Sequence, residues 1–359
     1  MIDLGDYKNK VVCFDSETAL NRHILILGKS GCGKSVQMQR IISDLSQQGK
    51  TLVVFDMHSV ASKEQIFPLF QDVIEKNSCE IDAYHNGISC DLFLPLTFPD
   101  GGVEKKIDTV GAVVDVLARA VKLGSGQRAV LRKAVSHVAN TGEYNKLGLW
   151  AIDCALAKEG TVAAEAVREK LYQLTAHNVF RPGKLFLERG KINIIRLSRF
   201  DLETQRVVAE LLLSYFWRVA VTSKFSKDGV YLCVDELQNL SSGKESALNQ
   251  MLVEGRKFNT NLILATQQFE PKSTSLVQQK LMQCGLILLF QPNTAQAGIL
   301  AKLVDSNDVK SWTKILQTLG KGEFVTLGPL TVIGVSVSKP LKVSAKIELE
   351  EKANVIYKL

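Results

Sequence analysis

No apolar run in these 359 residues is long enough to span a membrane. The start, Met1-Ile2-Asp3-Leu4-Gly5-Asp6, lacks a basic stretch followed by an apolar one and does not read as a signal peptide. The seven cysteines, at 13, 32, 79, 90, 154, 233 and 284, contain no Cys-x-x-Cys pair and are odd in number. That excludes a fully paired disulfide framework and points to a reducing, cytoplasmic setting. The five histidines show no metal-ligand spacing, so no zinc site is expected. No internal repeat or low-complexity segment stands out.

What is present is the composition of an ordinary globular protein, 46% apolar and 23% charged. The length suits one large domain or two smaller ones, with a core that needs no disulfide or structural metal. A net charge of +7 permits a nucleic-acid partner without demanding one.

Along the chain, Val11 to Phe14 is a short strand candidate. His23 to Leu27 is a compact apolar run ending at a glycine, as a buried parallel strand does. Val36, Met38, Ile41, Ile42 and Leu45 then recur at helical spacing up to Gln47-Gln48-Gly49, and Thr51 to Asp56 reads as a second buried strand. Together these make one βαβ unit. Residues 60–190 read mostly as helices, among them Ile107 to Val121, Gln127 to Asn140 and Ala163 to Leu174. Strands resume at Lys191 to Leu197, Val230 to Val234, Asn261 to Ala265 and Gly285 to Phe290, with a helix from Leu202 to Val221. Glu323 to Leu327 and Leu330 to Val337, split by Gly328-Pro329, suggest a closing hairpin, and the last dozen residues are expected to fray. The rhythm predicts an α/β fold, a largely parallel sheet flanked by helices. Residues 1–59 and 191–340 would form a P-loop, RecA-like core, 60–190 a helical insertion and 341–359 a tail.

Four short segments carry chemistry. Gly28-Lys29-Ser30-Gly31-Cys32-Gly33-Lys34-Ser35 has the spacing of a phosphate-binding loop. Its glycines let backbone amides point inward, and the following helix aims its positive end at the same phosphates. Lys34 is expected on the β and γ phosphates of ATP and Ser35 on Mg2+. Val230 to Val234 runs into Asp235-Glu236. Asp235 would hold Mg2+ directly or through water, and Glu236 would orient and deprotonate the attacking water. Asn261 to Ala265 ends in Thr266-Gln267, where Gln267 either senses the γ phosphate or positions water, or only caps a loop. In Glu254-Gly255-Arg256-Lys257-Phe258, Arg256 is either an ordinary charged helix end or a guanidinium that neutralises charge on a transferring phosphate, from its own or a neighbouring subunit.

Together with Asn21-Arg22-His23, Phe55-Asp56-Met57-His58 and Ile192 to Leu197 followed by a helix containing Gln205, these segments resemble the HerA–FtsK superfamily of P-loop motor ATPases. The HerA-like branch is the nearest in pattern, and the resemblance covers about residues 10 to 340. It implies a homo-hexameric ring with ATP between subunits and translocation of double-stranded DNA, often beside a nuclease. It also implies that Gln267 is the sensor and that Arg256 is a candidate finger acting on the next subunit.

The chain departs from the family in several places. Only 27 residues precede the loop, which are expected to be too few for the N-terminal β-barrel of typical HerA proteins, and FtsK-type membrane spans and the winged helix are not read in the sequence. Ser59-Val60 stands where Gly-Glu is usual, and Val253 where an arginine is usual. Arg119, Lys122, Arg128, Arg132 and Lys133 form an acid-free stretch that either tracks phosphates or is a solvated face. Trp150, Trp217 and Trp312 suit core or partner contacts, and His58 follows a central strand toward the nucleotide edge. Two other functions fit the same motifs: a motor of the conjugation or type IV secretion kind, and a nucleotide-gated scaffold for a nuclease or defence effector.

Overall fold

The computed structural model describes residues 1–59, 61–223, 229–241, 243, 245–267 and 280–345. Its strands are β1 (Ile2–Tyr7), β2 (Lys10–Phe14), β3 (Ile24–Leu27), β4 (Thr51–Asp56), β5 (Ser78–Asp82), β6 (Ile88–Ser89), β7 (Phe180–Arg181), β8 (Ile192–Arg196), β9 (Val230–Val234), β10 (Thr260–Thr266), β11 (Leu286–Phe290), β12 (Glu323–Leu327), β13 (Leu330–Val332), β14 (Val335–Val337) and β15 (Leu341–Ser344). Thirteen of them form one sheet in the order β14-β13-β2-β1-β15-β12-β11-β3-β10-β9-β4-β8-β5, while β6 and β7 pair separately. From β11 to β5 every pairing is parallel. From β12 outward the pairings are antiparallel. The expected α/β class is borne out. The parallel half is extended by an antiparallel one built from both ends of the chain.

The parallel strands are buried on both faces, and their alternation divides the core in two. Leu25, Leu27, Leu232 and Val234 face a larger cluster with the helices α3 (Lys106–Ala120), α4 (Ser125–Thr141), α5 (Tyr144–Leu147), α6 (Trp150–Glu159), α7 (Val162–His177), α8 (Leu202–Ser223) and α9 (Ala247–Glu254). Ile24, Ile26, Tyr231 and Cys233 face a smaller one with α1 (Lys34–Gln47) and α2 (Pro68–Asn77).

Three expected boundaries differ from what is seen. Residues 60–190 are mostly helical but supply β5 to the sheet edge, where Ser78 to Asp82 pairs with Ile192 to Arg196. Residues 341–344 form β15 between β1 and β12; the last dozen residues lie outside the described ones. The closing hairpin is also corrected. Gly328, whose Cβ would lie 2.3 Å from the Gly285 carbonyl oxygen, carries the chain across the start of β11. Thus β12 pairs with β11 and β15, and the hairpin is β13–β14, turned at Ile333 (φ 48°) and Gly334 (φ 75°).

His23 locks the middle of the parallel half. Its carbonyl accepts from Leu286 N of β11 at 3.2 Å. Its ring Nδ1 accepts from Leu262 N of β10 at 3.1 Å, which leaves the proton on Nε2 to be donated to Met251 O of α9 at 3.2 Å. Burial holds the ring neutral, pushing its pKa down to about 4 against the backbone bond that pulls the other way. The unfolded chain takes up a proton on this residue below pH 6.5 and the fold does not. His23 therefore adds no pH dependence above 6.5, and its burial costs stability progressively as the pH falls from 6.5 to about 4, by about 3 kcal/mol at the lower end. Denaturant unfolding between pH 7 and 4 should show this slope, and His23→Gln should flatten it while lowering stability at pH 7 by about 1–2 kcal/mol.

Candidate functional site

The parallel register brings five strand ends to one edge. Leu27 pairs with Thr266 and Leu289, and Val234 with Leu264 and Phe55. Gly28, Asp56, Asp235, Gln267 and Gln291 therefore follow one another along the crest of the sheet, where open α/β folds place ligands.

The loop Gly28 to Ser35 is held at this crest by its neighbours. Gly28 N donates to Thr266 O at 3.3 Å, Lys29 N to Gln291 O at 2.9 Å, and Gly322 N braces Cys32 O at 2.9 Å. Two glycines are required for different reasons. Gly28 passes so close to β11 that a Cβ would lie 2.6 Å from Phe290 Cβ. Gly31 has φ 75° and open space beside it, a left-handed conformation that leaves room on the outer side of the loop. Helix α1 starts directly behind, with no side-chain cap and no acid in its first turn. Its free N–H groups and positive end thus stay available to an anion. Lys34 is buried, and its Nζ donates to Lys29 O at 2.9 Å. Among the described residues it has no carboxylate partner. A buried ammonium with no carboxylate in ion-pair contact among the described residues, in a glycine-rich loop before an uncapped helix start, fits a polyphosphate.

The acids stand across β10. Asp235 is buried, and its Oδ1 accepts from Glu236 N at 2.9 Å. Burial pushes its carboxyl above the ordinary range and the Glu236 charge adds to this, while Lys34 and His58 pull it back. Those four groups thus share one field, and His58 does approach this edge. A buried acid whose carboxyl stays raised despite those charges fits a further cation, with Ser35 at the first turn of α1 as a companion oxygen that could help hold it. Strand alternation would send adjacent carboxylates to opposite faces. Glu236 escapes it by a left-handed backbone, φ 54° and ψ 50°, in a non-glycine residue that stores about 1 kcal/mol of strain. Its Oε1 then accepts from Gln267 Nε2 at 2.5 Å.

Sequence reasoning missed Gln238, on the 3-10 turn Leu237–Asn239, whose Nε2 donates to Glu236 Oε2 and whose Oε1 accepts from Thr266 Oγ1. An amide two residues beyond the acids, on a tight turn, was the available signal. Asp56 is engaged elsewhere: Arg196 binds it at 2.6 Å and Glu80 at 2.6 Å, joining β4, β8 and β5.

Arg256 does not join this group. It lies on the 3-10 turn Gly255–Phe258 at the start of β10, and the seven residues of that strand put it ~20 Å from the crest. Gly255 packs so closely that a Cβ would lie 2.6 Å from Thr260 O and 3.3 Å from the His23 ring, and Phe258 meets Trp217 edge-on at 5.4 Å. The turn is anchored at both ends, while Arg256 is exposed and without a hydrogen-bond or ion-pair partner among the described residues. The basic stretch on α3 and α4 is partly neutralised by acids from other turns, with Arg128 on Asp115 at 2.5 Å and Lys133 on Glu159 at 2.7 Å.

The family described as helicase HerA, central domain, matches residues 2–60, which hold the phosphate loop and the strands on either side of it. A probable helicase of Methanocaldococcus jannaschii is 22% identical over 89% of this chain. The resemblance to the HerA–FtsK ATPases is borne out. The chain spans 62% of that helicase's length. Its fold is shared with VirB4 of Thermoanaerobacter pseudethanolicus (TM-score 0.67, 17% identity, 96% of each chain). It is also shared with the bacterial conjugative coupling protein TrwB (TM-score 0.62, 15% identity, 96% of this chain and 90% of that one). TrwB has been solved with a non-hydrolysable ATP analogue and with ADP and Mg2+. Among the described residues, no helix is long and apolar enough to cross a membrane.

Because burial and the Glu236 charge both disfavour the ionised Asp235 carboxylate, Asp235→Asn should stabilise the nucleotide-free protein. The gain is absent well below the carboxyl range of the unfolded chain, grows as the pH rises through the interval up to the raised folded pKa, and is complete above it. Thermal unfolding at pH 7.5 should show a rise of a few degrees, while Mg2+-dependent nucleotide binding falls at least about tenfold.

Proposed function

We propose that the chain binds ATP with Mg2+ at this crest, hydrolyses it, and works in the cytoplasm as one subunit of a homo-hexameric ring motor that moves double-stranded DNA beside a nuclease or other effector. The observation that carries the reading is Lys34, a buried ammonium with no carboxylate in ion-pair contact among the described residues, set in a glycine-rich loop before an uncapped helix start and within the field of Asp235.

The backbone of Lys29 to Gly33 wraps the phosphates, and Lys34 sits against the β and γ groups. Ser35 and Asp235 hold Mg2+, which when bound neutralises charge building on the phosphate oxygens. Glu236 orients the attacking water and accepts its proton. Gln267, hydrogen-bonded to Glu236, reports whether the γ phosphate is present. Arg256 lies at the opposite edge and serves the triphosphate of the next subunit, so a lone chain holds an incomplete site. The ATPase core comprises residues 1–59 and 191–340 together with β5 and β15, and the rest of 60–190 is an insertion.

The fold likeness to VirB4 over 96% of both chains supports a second reading, a motor of the conjugation or type IV secretion kind. Co-purification with a membrane-embedded machine would favour it over a free DNA motor.

Steady-state ATPase activity with and without duplex DNA, beside a mass measurement, tests the first reading. A ring whose turnover rises with DNA is expected, and a monomer indifferent to DNA would sink the translocase. Mixing Arg256→Ala with Glu236→Ala subunits should restore part of the activity that each variant lacks alone, because some junctions then combine an intact Arg256 with an intact Glu236. No recovery at any ratio would remove Arg256 from the site. A scaffold timed by nucleotide would keep its biological output in Glu236→Ala.

A further inference from the structure

The acid Glu236 is gripped on both oxygens, and the grip runs back to the phosphate loop. Gln267 Nε2 donates to Oε1 at 2.5 Å, and Gln238 Nε2 donates to Oε2. A carboxylate only accepts, so the NH2 end of the Gln238 amide must face it and the carbonyl end must face away. That carbonyl oxygen lies 2.7 Å from Thr266 Oγ1, so the threonine hydroxyl must donate to it. The same Thr266 accepts Gly28 N, the first amide of the phosphate loop, on its main-chain oxygen at 3.3 Å. The polarity of each side-chain bond from Glu236 to Thr266 is dictated by the one before. Gln238 has no apolar packing role that would account for its place: it is exposed, on a turn begun by the left-handed Glu236.

We propose that Gln238 and Thr266 are positioning residues that fix the Glu236 carboxylate relative to the phosphate loop. This rests on the hydrolytic reading above. Gln267 alone leaves the carboxylate free to swing about a single bond; the second amide stops that rotation, and Thr266 stops the second amide from flipping. The grip raises the fraction of time in which Glu236 faces the water that attacks the γ phosphate, without adding a contact to the nucleotide. It therefore acts on turnover and not on binding.

The test compares Gln238→Ala, Thr266→Val, which keeps the shape and removes the hydroxyl, and Thr266→Ser, which keeps the hydroxyl. Gln238→Ala and Thr266→Val should each lower kcat about tenfold or more, with KM for ATP and the affinity for a non-hydrolysable analogue within about twofold of the parent. Thr266→Ser should stay close to the parent, and the double variant Gln238→Ala/Thr266→Val should be no worse than Gln238→Ala alone. In nucleotide-free protein, selectively 15N-labelled glutamine side chains read the contact without any turnover: Thr266→Val should move the Gln238 amide signals and Thr266→Ser should not. Unchanged or raised kcat in Gln238→Ala would overturn the proposal, as would losses shared equally by kcat, affinity and Tm. If the parent binds ATP without hydrolysing it, the catalytic part falls with the hydrolytic reading, and the amide signals alone decide whether Thr266 orients Gln238.

Discussion

The site depends on β3 keeping its register between β10 and β11. Strand side chains alternate, so a slip of one residue would send Leu25 and Leu27 to the wrong core and carry the phosphate loop off the crest. His23 opposes such a slip at the start of the strand, binding β10 through its ring, β11 through its carbonyl and α9 through its other nitrogen. Thr266 and Gln291 do the same at the end, taking the first two amides of the loop. A short strand of four residues is thus tied to both neighbours at both ends.

The same pinning gives the Glu-Gly-Arg-Lys-Phe segment two kinds of residue. Gly255 and Phe258 are architectural, one lying against His23 and Thr260, the other against Trp217. Arg256 and Lys257 are what that architecture exposes. The motif holds a cation outward at the foot of β10 while the crest of the same strand holds Thr266 and Gln267. One strand therefore connects the crest to the exposed cation at its foot.

The parallel strands were legible because burial on both faces makes each a run of apolar residues bounded by glycines or acids, as in Ile24 to Leu27 and Val230 to Val234. The strands that escaped notice are edge or antiparallel elements. Ser78-Cys79-Glu80-Ile81-Asp82 is mostly polar and half-exposed, and its pairing is secured by Arg196 bridging Glu80 and Asp56. Leu341-Lys342-Val343-Ser344 alternates, but over too few residues to stand out from a tail. Of the candidate site residues, the loop stood out by its spacing and the acids by their place at the end of a buried strand. Gln238 was not, since its place beside Glu236 follows from a left-handed backbone that no residue type announces. That β12 and β13 do not pair was hidden for a similar reason: it turns on how tightly Gly328 passes Gly285.

The antiparallel half joins the two ends of the fold along one seam. β1 and β15 pair at Asp6 and Ser344, so tightly at Gly5 that a side chain there would strike the Ser344 carbonyl. From that seam Ala345 N reaches Gly322 O and Gly322 N reaches Cys32 O, while Arg40 on α1 holds Ala345 O at 2.6 Å. The floor of the phosphate loop is therefore two hydrogen bonds from the last described residue. Anything attached beyond β15 has a short lever on the loop: a tug at Ala345 bears on Cys32 and on α1 together.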